Sequence, residues 1–246
     1  MPRSVILQSQ PRCERCRFSP RWCICSGERT IECPLAIDVL IHHREFWRPT
    51  STGRLINRVI PASRGHVFRH DLPLIEAAIH RPGRELWILH PLGEPLAKMM
   101  EVGRISDPPS GAFESERAGH RPAPPSPAPQ VLLLDGSWRE AARMMHGVKP
   151  WGRLVSLPMT GPSRYLLRDQ QGAGNYSTVE ALLFLLDALG LKTEHAALRL
   201  QFELHVYAGL RARGEKSAAE NFLADSPVRD AFPELLEELN RRRPRE

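Results

Sequence analysis

Four cysteines fall within thirteen residues, in the pattern Cys13-x2-Cys16-x6-Cys23-x-Cys25. Zinc takes four soft ligands at tetrahedral angles, and a C-x2-C turn places two sulfurs on one cation. The second pair is a C-x-C, tighter than the usual knuckle. All five cysteines lie between positions 13 and 33. A disulfide scaffold spreads its cysteines along the chain to close loops, whereas a cluster in one short window reads as metal binding. Four thiolates leave no open coordination position, so the expected metal is structural. An iron–sulfur cluster uses the same ligands and stays open as an alternative. Cys33 is the odd one and is expected as a free thiol. Phe18 and Trp22 can shield the site. Arg12, Arg15, Arg17 and Arg21 can offset its negative charge or touch phosphate.

A second constellation is Asp135-Gly136-Ser137-Trp138. It follows the apolar run Val131-Leu132-Leu133-Leu134, so Asp135 is expected at the carboxyl end of a buried strand. Ligands of open α/β sheets bind in that crevice. A carboxylate there can accept a proton or hold a hydroxyl, and Trp138 can stack on a base or seal the pocket floor. The same residues would equally serve as a helix cap and a packed indole. A third group joins Arg164-Tyr165-Leu166-Leu167-Arg168 to Asn175-Tyr176-Ser177-Thr178-Val179-Glu180. Arg164 and Arg168 offer forked donors to a carboxylate or phosphate. Ser177 and Thr178 sit where a helix N-terminus favours an anion. The plain alternatives are a capping box from Ser177 to Glu180 and arginines in solvent. His42, His43 and Glu45 are acid/base or metal candidates, but a histidine ending a strand is more often structural. Thr52-Gly53-Arg54 suggests a tight turn with an outward arginine. His90, before Pro91, could converge with Asp135 if the strands are parallel.

These groups need a scaffold. Ile37–His42, Glu85–His90, Val131–Leu134 and Arg153–Leu157 read as strands, the second stopped by Pro91. Residues 50–58 read as a loop entering a helix. Asp71 is expected to cap a helix over 72–79, and Ser137 a helix from Trp138 to about His146. Ser177 with Glu180 forms a capping box for an almost wholly apolar, buried helix stopped by Gly190. A long amphipathic helix over 194–213 follows, then two shorter ones. Apolar strands alternating with helices predict a parallel α/β sheet. Residues 103–130 hold Pro122, Pro124, Pro125, Pro127 and Pro129 after three glycines, and are expected to be a mobile surface insertion. The expected organisation is a cysteine module at 11–33, a catalytic domain at 34–213 and a helical extension with a basic tail at 214–246. No G-x-G-x-x-G follows a strand and no P-loop occurs, which argues against the usual dinucleotide and NTP sites.

The chain of 246 residues is 41% hydrophobic and 25% charged, enough for a core. It carries no apolar run of about 18 residues and no signal-peptide pattern, so a cytoplasmic location and no membrane contact are expected. The net charge of +6 favours polyanion partners without choosing one. The tail Arg241, Arg242, Arg243, Arg245 is a basic arm or a solvated end.

Taken in order from about residue 13 to 181, several segments resemble the DTW-domain family, the tRNA-uridine aminocarboxypropyltransferases. They are the four-cysteine module, His43 to Arg54, Leu89-His90-Pro91, Leu134 to Trp138, Tyr165 to Arg168 and Ser177 to Ala181. The resemblance implies a fold related to the SPOUT methyltransferases, with S-adenosyl-L-methionine (SAM) held at a trefoil-knotted end of the sheet. It implies transfer of SAM's 3-amino-3-carboxypropyl group to N3 of a tRNA uridine, releasing 5′-methylthioadenosine. By the same resemblance, Asp135, Ser137 and Trp138 would be catalytic. His90, Pro91, Asp135, Gly136, Arg168, Ser177, Thr178 and Glu180 would hold SAM, and Thr52, Arg54, Arg164 and Tyr165 the tRNA. Cys13, Cys16, Cys23 and Cys25 would hold structural zinc. Ser137 stands where the family has Thr, and Ser51 where an Asn often precedes Thr52. A monomer or homodimer with no obligate protein partner is expected. The competing functions are a methyltransferase of the same fold, a non-enzymatic zinc RNA-binding module, and a metal hydrolase using His42, His43 and Glu45. The last lacks the H-E-x-x-H spacing.

Overall fold

The computed structural model describes residues 11–105, 128–168 and 174–241. Most of the proline-rich stretch at 103–130 lies outside them, as do Arg242, Arg243 and Arg245. Five strands form one sheet: β1 (Ala36–His42), β2 (Arg64–Phe68), β3 (Leu86–Pro95), β4 (Gln130–Asp135) and β5 (Arg153–Ser156). Their order is β2-β1-β4-β3-β5, and every neighbouring pair is parallel. The expected mixed α/β architecture with a parallel sheet is therefore present.

Apolar residues on both faces of β1 and β4 require cover on both sides. On one side Ile37, Val39, Ile41, Val131 and Leu133 pack with Leu55, Ile56 and Val59 of α2 (Thr52–Val59). The same core takes in α6 (Thr178–Ala188) and the 21-residue α7 (Lys192–Ala212). On the other side Leu40, Ile88 and Leu132 meet Met144 and Val148 of α5 (Trp138–Val148). The helices following β1 and β4 thus leave to opposite faces. That divergence opens a crevice between the carboxyl ends of the two strands, where Ile41 stands in register with Asp135. Three helices close the described chain: α8 (Lys216–Ala224), the short α9 (Val228–Ala231) and α10 (Pro233–Asn240). The larger core runs unbroken from Cys16 to Leu239, so the cysteine segment and these last helices share it. The side chain of Gln201 on α7 donates to the Gly27 carbonyl at 3.1 Å and fastens the segment down. No helix among the described residues is long and apolar enough to cross a membrane.

Both serine caps form as expected: Ser137 with Glu140, and Ser177 with Glu180, are complete capping boxes. Elsewhere the structure corrects the local expectations. The helix expected over 72–79 shrinks to the single turn α3 (Glu76–Ile79), and Asp71 pairs with Arg69 instead of capping it. Leu72 and Ile75 are both exposed, so no core rewards an earlier start, and Pro73 disfavours helical geometry at Leu72. Pro91 does not end β3. The ladder to β5 is interrupted between Leu89 and Glu94, both of which face Val155, and Pro91 sits in the resulting bulge. Gly93 is needed there, because a Cβ would lie 2.4 Å from the Val155 nitrogen. Strand β2 and the turn α1 (His43–Phe46) had no expectation, and α4 (Leu96–Ile105) follows β3 directly.

Asp38 anchors the amino-terminal half of the sheet. It is fully buried and accepts from Arg64, His66 and Arg81, each at 2.8 Å, and from Gln130 at 2.9 Å. Burial opposes ionisation, but His66, Arg64 and Arg81 outweigh it and lower the carboxyl's pKa. Its folded pKa lies below its unfolded value of about 3.9. Its stabilisation is therefore present above that value and lost as pH falls through the folded pKa. Asp38→Asn is expected to cost about 3 kcal/mol at pH 7 by stranding the partner cations. In urea titrations the gap between variant and parent should close on acidification below pH 4. A gap that stays constant with pH would contradict the ionised pairing.

Candidate active site

The carboxylate of Asp135 is the meeting point of three elements. It is 2% exposed at the end of β4. Its Oδ2 accepts from the Ser51 hydroxyl at 2.8 Å. Its Oδ1 accepts from Thr178 at 2.6 Å and from Thr52 at 3.4 Å. Ser51 caps α2, Thr52 opens it, and Thr178 opens α6. The N-termini of two helices therefore point at one buried carboxylate, an arrangement their dipoles favour. Gly53 makes the approach possible. A Cβ there would fall 2.7 Å from Cβ and Cγ of Asp135. Gly53 thus serves close packing in the first turn of α2, not the expected tight turn.

Two further polar groups flank this hub. Glu45 is buried and accepts from Arg48 at 2.6 Å and Arg168 at 2.7 Å, and Arg168 also donates to the Gly136 carbonyl at 3.3 Å. Burial raises the pKa of Glu45 against the pull of Arg168 and Arg48. Tyr165 donates to the Thr50 carbonyl at 2.5 Å, and burial pushes its phenol up to about 12, so it stays protonated. On the other flank, Glu140 reaches His42 Nδ1 at 3.1 Å while His42 Nε2 lies 3.2 Å from His70 Nε2. Burial lowers the pKa of His42.

A cleft of about 780 Å³ opens over these groups. Of the residues singled out in the sequence, Thr52, His90, Pro91, Asp135, Gly136, Ser137, Trp138, Tyr165, Arg168, Ser177 and Thr178 all line it. Trp138 is 46% exposed, so its indole belongs to the cleft and not to the core. His42 lines it as well, whereas His43 and Glu45 do not, nor do three of the residues expected to hold SAM or tRNA. Arg54 donates to the carbonyls of Phe46 and Arg15, each at 3.1 Å, and joins α2 to the cysteine segment. Arg164 pairs with Glu203 at 3.2 Å and stacks on Phe222. Glu180 binds Ser177 N–H, Arg164 N–H and the Ser163 hydroxyl. Arg164 and Glu180 line a separate hollow of about 330 Å³. Glu140 and His70 line the main cleft unforeseen. The Ser137-x-x-Glu140 spacing was visible, but nothing in the sequence shows that this cap also reaches His42.

The four cysteine sulfurs of the N-terminal segment all lie within 4.8 Å of one another. Cys13 and Cys25 are 3.6 Å apart, and Cys16 and Cys23 are 3.8 Å apart. Tetrahedral zinc–sulfur bonds of about 2.3 Å require sulfurs about 3.8 Å apart. The donor set therefore fits a metal such as zinc. Cys33 is outside the cluster, a free thiol.

Against known families, the model described as "DTW domain" matches residues 10–209. No solved structure matches the chain.

Proposed function

Because the chain belongs to the DTW-domain family, we propose that it transfers the 3-amino-3-carboxypropyl group of SAM to N3 of a tRNA uridine. The DTW domain is associated with tRNA-modifying enzymes. The observation that carries the finer reading is the shape of the cleft around Asp135. Its lining includes Leu89, His90, Val155, Leu157 and Ala181, with Ser177 and Thr178 at the N-terminus of α6. These suit a small molecule with an apolar body and a carboxylate. Trp138, Arg139, Arg143, Arg44 and His70 also line it. Those suit a nucleotide.

In the reaction the N3–carbon bond forms and the sulfur–carbon bond breaks. Sulfur keeps the electron pair, so 5′-methylthioadenosine leaves as a neutral thioether, and the imide proton passes from N3 to a base or to solvent. SAM supplies the electrophilic carbon; the protein's task is to decide which of three carbons on sulfur faces the nucleophile. Arg168, fixed by Glu45 and Gly136, and the hydroxyl-lined start of α6 would hold the amino acid end. Asp135 already accepts three hydroxyl hydrogens. We therefore assign it the duty of positioning α2 and α6 around the reacting atoms. The four-cysteine site would hold structural zinc.

The test is incubation of the chain with labelled SAM and bulk tRNA, followed by nucleoside mass spectrometry. A uridine heavier by the aminocarboxypropyl mass supports the proposal. A methyl increment replaces it with a methyltransferase, and RNA binding without SAM binding replaces it with a non-enzymatic RNA-binding protein.

A further inference from the structure

Many cations among the described residues are ion-paired in place. Arg15, Arg48, Arg58, Arg64, Arg81, Arg153 and Arg168 each meet a carboxylate. The mouth of the cleft is different. Arg139 and Arg143 project from the first two turns of α5, both exposed, and Arg44 stands exposed on α1. Among the described residues, the side chains of Arg44 and Arg139 make no ion pair or hydrogen bond. The one hydrogen-bond partner of Arg143 among the described residues is His70, at 3.2 Å.

The carboxylates close by are engaged with other donors, and none forms an ion pair with these arginines. Oε1 of Glu140 lies 3.1 Å from His42 Nδ1, and Oε2 accepts from the amide and hydroxyl of Ser137. Asp135 is filled by hydroxyls and Glu45 by Arg48 and Arg168. Arg139 and Arg143 are also one turn apart on the same helix, where like charges repel. A helix that carries this repulsion beside a cleft is shaped for an anion supplied from outside. Trp138 identifies the anion's chemistry. Its exposed indole lines the same cleft as the three guanidinium groups. Cations beside an exposed ring match the phosphates and bases of an unpaired nucleic-acid strand, whereas an acidic peptide has no use for the ring.

We propose that Arg139, Arg143 and Arg44 grip the phosphates flanking the target nucleotide while Trp138 stacks on an unpaired base, so that the RNA enters over the N-terminal half of α5. The inference rests on the reading of the chain as an RNA-modifying enzyme and adds the surface that receives the RNA.

The experiment measures fluorescence-anisotropy binding of labelled bulk tRNA to the full chain at several salt concentrations. Arg139→Ala and Arg143→Ala are each expected to lower the slope of log K against log salt by about 0.7–0.9. The charge-reversed double variant Arg139→Glu/Arg143→Glu should weaken RNA binding at least about ten-fold at roughly 0.1 M salt, with SAM affinity and circular dichroism unchanged. Trp138→Ala should weaken binding without changing the slope, and Trp138→Phe should restore it. Lys216→Glu and Arg229→Glu, exposed on α8 and α9, serve as charge controls. RNA binding by the parent with unaltered slopes in both arginine variants overturns this surface alone. So does loss of binding in the controls equal to that in the double variant, or polyglutamate bound as tightly through the same arginines. A parent chain that binds no RNA overturns the functional reading as well.

Discussion

Replacing Asp135 by alanine is expected to abolish nucleoside modification and to lower the unfolding free energy by about 4–6 kcal/mol. The size follows from what the side chain satisfies. Ser51, Thr52 and Thr178 all donate to it in a buried setting. Each buried polar group left without a partner costs about 1–3 kcal/mol. The chemistry should fail with the fold, because the same three donors fix the ends of α2 and α6 that frame the cleft. Asp135→Asn separates the two effects. The amide keeps the volume and one acceptor oxygen, and a hydroxyl facing the new NH2 can turn to accept from it. Its stability cost should be only about 1–2 kcal/mol. If Asp135 positions the site, the Asn variant retains measurable turnover, and the pH–rate profile keeps its shape. Complete loss of turnover in a folded Asn variant, with disappearance of one limb of that profile, would instead make Asp135 the proton acceptor. Gly53→Ala disturbs the same hub from the other side. Its Cβ would overlap Asp135, and about 1–3 kcal/mol should be lost.

The elements that formed this hub were legible for a physical reason. Val131 to Leu134 is apolar on both faces, so it could only be a buried central strand. Ser137 and Ser177 each precede a glutamate by three residues, a local signal that needs no tertiary context. Strand β2 was hidden because only Phe68 of its five residues is buried. An edge strand with Arg64, Gly65 and His66 has no apolar run to betray it. Pro91 misled because a proline normally ends a ladder, and only the Leu89–Glu94 interruption lets β3 resume on the far side of it. The site divided along the same line. Residues that stand at element ends, such as Asp135 and Thr178, could be placed from periodicity. Arg54 and Arg164 could not, because where a long cation reaches depends on distant partners, here Arg15 and Glu203. The hydroxyl donors around Asp135 come from 83, 84 and 43 residues away, distances across which sequence patterns say nothing.

Removing the metal should have the largest effect on stability. The purified chain is expected to carry one zinc, and a strong chelator is expected to lower its melting temperature by more than about 10 °C. Structural zinc binds zinc-finger peptides with apparent free energies of about 10–16 kcal/mol, and that energy is folding energy. In a chain of this size each kcal/mol moves the melting point by about 2–4 °C, so about half of that coupling suffices. The coupling is strong because the ligands do not hang on a tether. Cys16 is 1% exposed, and Phe18, Ile24 and Ile31 belong to the core that also contains Phe202 and Leu204. His205 packs against Phe18 with ring centroids 5.2 Å apart. Loosening the thiolates would therefore unseat α7 and, through it, α2 and the Asp135 hub. Cys16→Ser should reproduce the chelated state, while Cys33→Ser leaves metal content and melting temperature unchanged. A thiol reagent should find at most Cys33 in the metal-bound chain and all five cysteines after chelation. Visible absorbance with bound iron would replace zinc by an iron–sulfur cluster. Five thiols reacting at once in a metal-free chain with the parent's melting temperature would remove the metal from the structure's account altogether.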